Sequence, residues 1–440
     1  TRKESSAASD VYKRQAPSNA LTAVLAGSVV VSDNGTATGV GGAEIPAFDP
    51  ASKRAFSASN AGIQVIDLSN PAVPVRLAPI DPTALGLTTK DVSHVVVKNG
   101  VLAASLIASP DKTLPGTVAF FEPATGVLLG SVTVGAVPDQ LIFTPDGTKV
   151  LVANEGEMAG PVVAPAPAPA NPDPAGSVSI IDVSGGFASP MVTTAGFGAF
   201  DGQESALRAA GVRVFPGRPA STDLEPEYIA VSADGTRAMV TLQEANAIAV
   251  LDIATATITA VKPLGLKNYA RVTGDFSDRD GSGNGQAIEL KSGLPAFGMF
   301  MPDAIAAYQT GGATYYVTAN EGDDRNDFLV PVETTTVNAT TVVNVGGVPV
   351  TTAVYDLDNT VFPTEGTPGG SGSAGAGTGL KGNDQLGRLT VSNVPGLRGD
   401  LDGDGDIDRI LSYGGRSFSI LDADGRRVFE LVGEMADRAA

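Results

Sequence analysis

The chain has 440 residues, 48 of them acidic against 29 basic, and a formal net charge of −19 at pH 7. That balance excludes nucleic acid as a partner, since phosphate backbones bind basic surfaces. With no cysteine and a single histidine, disulfides, thiolate metal sites, a cysteine nucleophile and His-rich metal centres are excluded too. The 42% hydrophobic content suffices for a large core. No apolar run approaches the roughly 20 residues a membrane-spanning helix needs.

Residues 1–15, TRKESSAASDVYKRQ, are polar and without apolar period, and read as an adaptor-like, non-native leader outside the fold. Residues 16–440 read as one folded domain, cut at both ends, so that neither a signal peptide nor an anchor is expected within the fragment.

From residue 44 onward a unit of 40 to 50 residues recurs. Each unit has a hairpin followed by a third strand that ends in an acid. The third strands are Ile63–Asp67, Val118–Glu122, Val178–Asp182, Ile248–Asp252 and Phe418–Asp422, rich in β-branched residues and apolar enough to be buried. The hairpins upstream carry Asn99-Gly100, Asp146-Gly147 and Asp234-Gly235, where the glycine supplies the positive φ of a tight turn. Hairpin plus third strand, repeated with little helix, predicts an all-β protein of the β-propeller class. Blade starts fall near 44, 93, 138, 226, 302 and 400. About six blades are therefore visible, of an expected seven in a complete protein. Three stretches break the spacing and are expected to be loop insertions. They are 157–176, which is Pro/Ala-rich; 186–220, with a short helix at Glu204–Ala210; and 331–386, which ends in a Gly/Ser run.

Aligned on their first strands, four repeats put an acid at one register position: Glu44, Asp139, Glu227 and Asp303. The repeat near 93 has Ser93 and His94 there. The second strands end on an amide followed by Glu, at Asn154-Glu155, Gln243-Glu244 and Asn320-Glu321. Both strand ends meet at one mouth of the channel, so a carboxylate rim is expected, suited to a hard cation. The plain alternative is that these acids are solvated turn residues. Arg325 and Arg416 are candidate counter-charges or anion clamps. His94 lacks a Ser partner and reads as an ordinary rim residue.

The sharpest motif is Asp400-Leu401-Asp402-Gly403-Asp404-Gly405-Asp406-Ile407-Asp408. Acids at positions one, three, five and nine with glycine at six form a Ca²⁺ loop, with Asp406 offering its backbone carbonyl. An EF-hand needs Glu at position twelve, where Leu411 stands, and the flanks are strand-like. Asp275–Ser282 is a weaker relative of the same pattern.

Long stretches carry a family resemblance: PDQLIFTPDGTKVLVANEGE (138–157), DLEPEYIAVSADGTRA (223–238), MPDAIAAY (301–308), TANEGDDR (318–325) and SYGGRSFSI (412–420). They resemble the choice-of-anchor I family, which is similar to the mesenchyme-specific cell surface glycoprotein domain. The resemblance spans roughly 40–435. It implies a secreted or surface-tethered bacterial propeller that continues for further blades, and some relatives bear alkaline phosphatase or phytase-like labels. Two functions are carried forward. The first is a calcium-binding, extracellular module for a surface ligand or matrix component. The second is a calcium-dependent phosphoesterase acting on a phosphate ester, with Glu155, Glu321, Arg325 and Arg416 as candidate catalytic residues. A purely structural surface protein is the third reading.

Overall fold

The computed structural model describes residues 25–31, 45–158, 172–282, 285–325, 334–337, 342–345, 348–351, 356–358, 360–362, 379–394 and 396–431. The leader at 1–15, Glu44, most of the 157–176 insertion and much of 331–386 lie outside the described residues.

Five four-stranded antiparallel meanders form the body. Blade 1 runs Pro46–Asp49, Arg54–Ser57, Gln64–Asp67 and Val75–Arg76. Blade 2 runs Val92–Lys98, Val101–Leu106, Pro115–Phe121 and Leu128–Ala136. Blade 3 runs Pro138–Phe143, Lys149–Asn154, Ser177–Asp182 and Met191–Gly196. Blade 4 runs Ile229–Val231, Arg237–Leu242, Ala247–Asp252 and Thr257–Pro263. Blade 5 runs Pro302–Thr310, Ala313–Asn320, Ser417–Leu421 and Arg427–Glu430. The first strand of each blade packs against the first strand of the next. That arrangement makes the fold a β-propeller with the first strands innermost.

Local chemistry explains the repeat. In blade 3 the Asp146 carboxylate accepts from Thr144 Oγ1 at 2.7 Å and Thr148 N at 3.0 Å around Gly147 at φ 74°. In blade 4 Asp234 does the same with Ser232 and Thr236 around Gly235 at φ 71°. The acid that ends each third strand caps the following turn. Asp67 accepts from Ser69 N, Asp182 from Ser184 N and Asp252 from Thr255 N, at 2.7 to 2.9 Å. These acids are turn builders. Between blades the core is continuous: Phe56, Leu102 and Phe121 lie between blades 1 and 2, Phe120, Leu141 and Val152 between blades 2 and 3, and Leu151, Val178, Ile229 and Leu251 between blades 3 and 4. Each such side chain, fully buried, contributes about 1.5–3 kcal/mol.

Two expectations about organisation change. The segment near 400 does not open a sixth blade. Ser417–Leu421 is the third strand of the blade that begins at Pro302, paired with Ala313–Asn320. Its neighbour Ile410–Ser412 belongs to a different, five-stranded sheet in the order Leu266–Asn268, Ala296–Met299, Ile410–Ser412, Thr390–Ser392, Thr334–Thr336. Ala296–Met299 pairs with Ile410–Ser412 in parallel. The 331–386 region therefore lies between the second and third strands of blade 5 and contributes a strand to this sheet. The sheet has its own core of Tyr269, Phe276, Leu357, Leu386, Ile407 and Ile410. The 186–220 stretch is also shorter as an insertion than expected, because Met191–Gly196 completes blade 3. The helix at Glu204–Ala210 is present, closed by Gly211 at φ 102°.

Candidate functional site

The first strands of blades 2, 3 and 5 share one irregularity. Pairing jumps from Val92↔Leu106 to His94↔Ser105, from Pro138↔Asn154 to Leu141↔Val152, and from Pro302↔Asn320 to Ala304↔Ala319. The residues skipped include Ser93, Asp139 and Asp303. A bulge of this kind re-aims a side chain, and here it sets one position of each inner strand apart from the pleat. Two of the three amides that recur at the second-strand ends, Asn154 and Asn320, are staples. Asn154 Nδ2 donates to Ser177 and Ser179 Oγ at 3.2 and 2.9 Å. Asn320 Nδ2 donates to Ser417 and Ser419 Oγ at 3.0 and 2.9 Å. The match confirms Ser417–Leu421 as a third strand and leaves the following Glu155 and Glu321 at equivalent places.

The structure gathers the acids of blades 3 to 5. Burial pushes Asp139 up to about 7, helped by the charges of Asp303 and Glu244. Burial first, then Glu157, Glu225, Glu244 and Asp139, hold Glu155 well above the usual carboxyl range. Glu227 is raised likewise, by burial and then by Glu244, with which it is in hydrogen-bonding contact. Gln243, with its amide nitrogen turned to the acid, donates to both Glu227 oxygens at 3.0 and 2.9 Å. Asp303 is raised by burial and by Glu321, while Glu321 itself is exposed. His94 is pushed down to about 4 by burial, so it is neutral at pH 7. Its Nε2 lies 3.4 Å from the Tyr228 hydroxyl.

Two members were missing from the sequence reading: Glu225 and Asp223. Glu225 is 1% exposed, and neither of its carboxylate oxygens has a hydrogen-bond partner; Glu244 Oε2 is equally orphaned. Arg325, fully buried, answers them. Its Nη1 donates to Asp223 Oδ1 at 2.9 Å, its Nη2 to the Asp223 carbonyl at 2.7 Å, and its Nε stands 3.0 Å from Glu225 Oε2. The guanidinium also covers the Phe215 ring at 4.9 Å. Of the two roles open to Arg325, the geometry gives it that of counter-charge. The sequence signal for Glu225 was its alternation with Glu227, which puts the two on one side of an extended segment.

Arg416 is elsewhere. It projects at the junction of blade 5 and the five-stranded sheet, with φ 44°, and its Nη1 donates to the Asp275 carbonyl at 3.1 Å. It does not join the acidic interior.

The other acidic centre is the aspartate loop. Asp400, Asp402 and Asp408 each place a carboxylate oxygen within 4.8 Å of the others, and Asp408 forms a second such group with Asp406 and Asp358. Asp404 is in neither group; its Oδ1 accepts from Asp406 N at 3.1 Å. The loop is self-braced: Asp400 accepts from Gly403 N (2.7 Å) and Gly405 N (3.2 Å), and Asp408 from Leu401 N (2.7 Å). Asp358 arrives on a segment bridged in parallel through Leu357 to Ile407, with Asp358 N donating to the Ile407 carbonyl at 3.1 Å and Ile407 N to the Asp356 carbonyl at 2.8 Å. Desolvation and the charges of Asp404, Asp358 and Asp408 raise Asp406 to about 6. The donor set is all oxygen and all anionic, which fits a hard divalent cation. In the weaker motif, Asp278 is paired bidentately with Arg388 at 2.6 and 3.1 Å.

Among the described residues no helix is long and apolar enough to cross a membrane. The choice-of-anchor I domain, as a family model, matches residues 44–440, and no curated protein matches. Solved structures overlap at low identity. Kuenenia stuttgartiensis hydrazine synthase shares 14% identity at TM-score 0.37, over 62% of this chain and 67% of its own. The Cps50 (Swd1) β-propeller domain of Myceliophteria thermophila shares 11% at TM-score 0.34, over 64% and 81%. The five meander blades and the match over nearly the whole described length agree: this β-propeller belongs to the choice-of-anchor I family.

Proposed function

We propose that the chain is a calcium-braced propeller module of an extracellular, cell-surface protein that binds a ligand or partner. The family supports a surface location. The observation that carries calcium is the pair of carboxylate groups sharing Asp408. The acid an EF-hand would take from position twelve is replaced here by Asp358 from a separate segment. Asp400, Asp402, Asp406, Asp408 and Asp358 would hold the ion, and its charge would relieve the repulsion among them. The loop hangs between two strands of the five-stranded sheet, so a bound ion ties the 356–358 segment to 400–408. Calorimetric titration of chelator-treated protein with Ca²⁺ is expected to show saturable binding that Asp408→Asn removes. No heat in the unaltered chain would overturn the reading.

A second reading, a calcium-dependent phosphoesterase, is favoured by one observation. Glu227 and Glu244 are buried with the half-buried Glu155 beside them, and their mutual repulsion means that ionising all three requires a cation. In such an enzyme a metal there would polarise a phosphate ester and activate water. Hydrolysis of p-nitrophenyl phosphate with Ca²⁺, abolished by chelator and by Glu244→Gln, is the expected result. No turnover in any metal condition would eliminate it.

A further inference from the structure

We infer that the cleft between blade 5 and the five-stranded sheet is a binding site for a small ligand that carries an anionic group beside hydrogen-bond donors, with Arg416 as the anion contact. This rests on the reading of the protein as a ligand-binding surface module, but it is independent of calcium. Two adjoining pockets, of about 100 and 620 Å³, share Asp275, Phe276, Leu389, Tyr413 and Arg416. Their combined volume is in the range of small-molecule sites. The Arg416 guanidinium donates to the backbone carbonyl of Asp275, and among the described residues it is paired with no carboxylate. The Asp275 carboxylate has one buried oxygen without a hydrogen-bond partner. Opposite charges therefore share one cleft without neutralising each other. Lys267, 5% exposed, adds a second cation on the same wall, held by the Gly415 carbonyl at 2.8 Å and 3.6 Å from Glu430. An anionic group would meet Arg416 and Lys267. Hydroxyl or ammonium donors would meet Asp275, and the faces of Phe276 and Tyr413 would pack the body.

The backbone adds an independent sign. Arg416 sits at φ 44°, a conformation costly for an arginine and natural for glycine. The preceding Gly414 is fixed, since a Cβ there would come 1.8 Å from the Glu321 carbonyl oxygen. Strain kept at a charged residue in a cleft is the pattern of a binding site.

The test titrates D-glucuronate and L-phenylalanine, which represent acidic sugars and amino acids, against glucose and acetate as controls lacking one half of the chemistry. Binding is read by calorimetry on calcium-saturated protein. Glucuronate or phenylalanine is expected to bind at least tenfold more tightly than either control, and whichever binds names the source. In Arg416→Gly that binding should fall at least tenfold while the melting temperature stays level or rises, because glycine relaxes the backbone. Arg416→Lys should retain part of the affinity. Absence of binding by both test compounds, or unchanged binding in Arg416→Gly, would overturn the proposal. Either result leaves the calcium titration unaffected, so the two readings fail separately.

Discussion

The aspartate loop and the blade interior are both acid-rich, yet they handle charge in opposite ways. In the loop, backbone N–H groups of Leu401, Gly403 and Gly405 already point at Asp400 and Asp408, and the carboxylates converge at the surface. In the interior, Glu225, Glu227 and Glu244 are buried and Glu155 is half-buried, with Arg325 against Glu225 and Asp223. The loop's carboxylates are already gathered and held by its own backbone hydrogen bonds. The interior has the guanidinium groups of Arg325 and Arg218 against Asp223 and Glu225, burial raises the pKa of its glutamates, and its acids are spread across three blades and the segment before blade 4. Sequence density of acids therefore says little; what separates the two regions is whether main-chain donors and solvent reach them.

The largest expected effect falls on the interior. Arg325→Leu leaves Glu225 buried without its ion pair and Asp223 with Arg218 alone, and unfolding free energy measured in urea should drop by about 3–5 kcal/mol. A loss under about 1 kcal/mol would mean that the acids are protonated and need no partner. Next comes Asp139. Its carboxyl is raised from the ordinary 3.8 to about 7, so between those values the unfolded chain has released a proton that the folded chain keeps. The folded state therefore loses stability from this group as pH rises from about 4 to 7. Asp139→Asn should be near neutral at pH 4 and stabilising by up to about 4 kcal/mol at pH 8 in chelator, each tenfold change in proton affinity being worth about 1.4 kcal/mol. If the interior instead holds a cation, the same variant will destabilise the metal-loaded protein, and the contrast between the two regions collapses.

Much of the fold was legible because each blade repeats the same local chemistry. Asp146-Gly147 and Asp234-Gly235 announce their turns, and the third-strand acids announce theirs. The failure near residue 400 has the same origin. Phe418–Asp422 looks like every other third strand, but its hairpin lies about a hundred residues upstream at Pro302–Asn320. Strand pattern records burial and says nothing about which distant strand is the partner. The five-stranded sheet was invisible for a related reason: its strands are three or four residues long and one pairing is parallel. Of the expected rim acids, Asp139 lies within charge range of Asp303 and of Glu227. Glu225 and Asp223 escaped because they precede the strand of blade 4. Asp358 escaped because only folding brings it to Asp408. Asp404 fits the motif on paper, but its carboxylate joins neither group.

The proposed calcium site in the 400–408 loop, completed by Asp358, would brace this part of the propeller. Thermal unfolding in saturating Ca²⁺ against chelator tests it most directly, on the unaltered chain and on Asp408→Asn and Asp404→Asn. A ligand bound only to the folded state at about a hundred times its dissociation constant adds about 2.7 kcal/mol. The unaltered chain and Asp404→Asn should therefore melt a few degrees higher in Ca²⁺, and Asp408→Asn should show no difference. Superimposed melting curves of the unaltered chain with and without calcium would contradict the account.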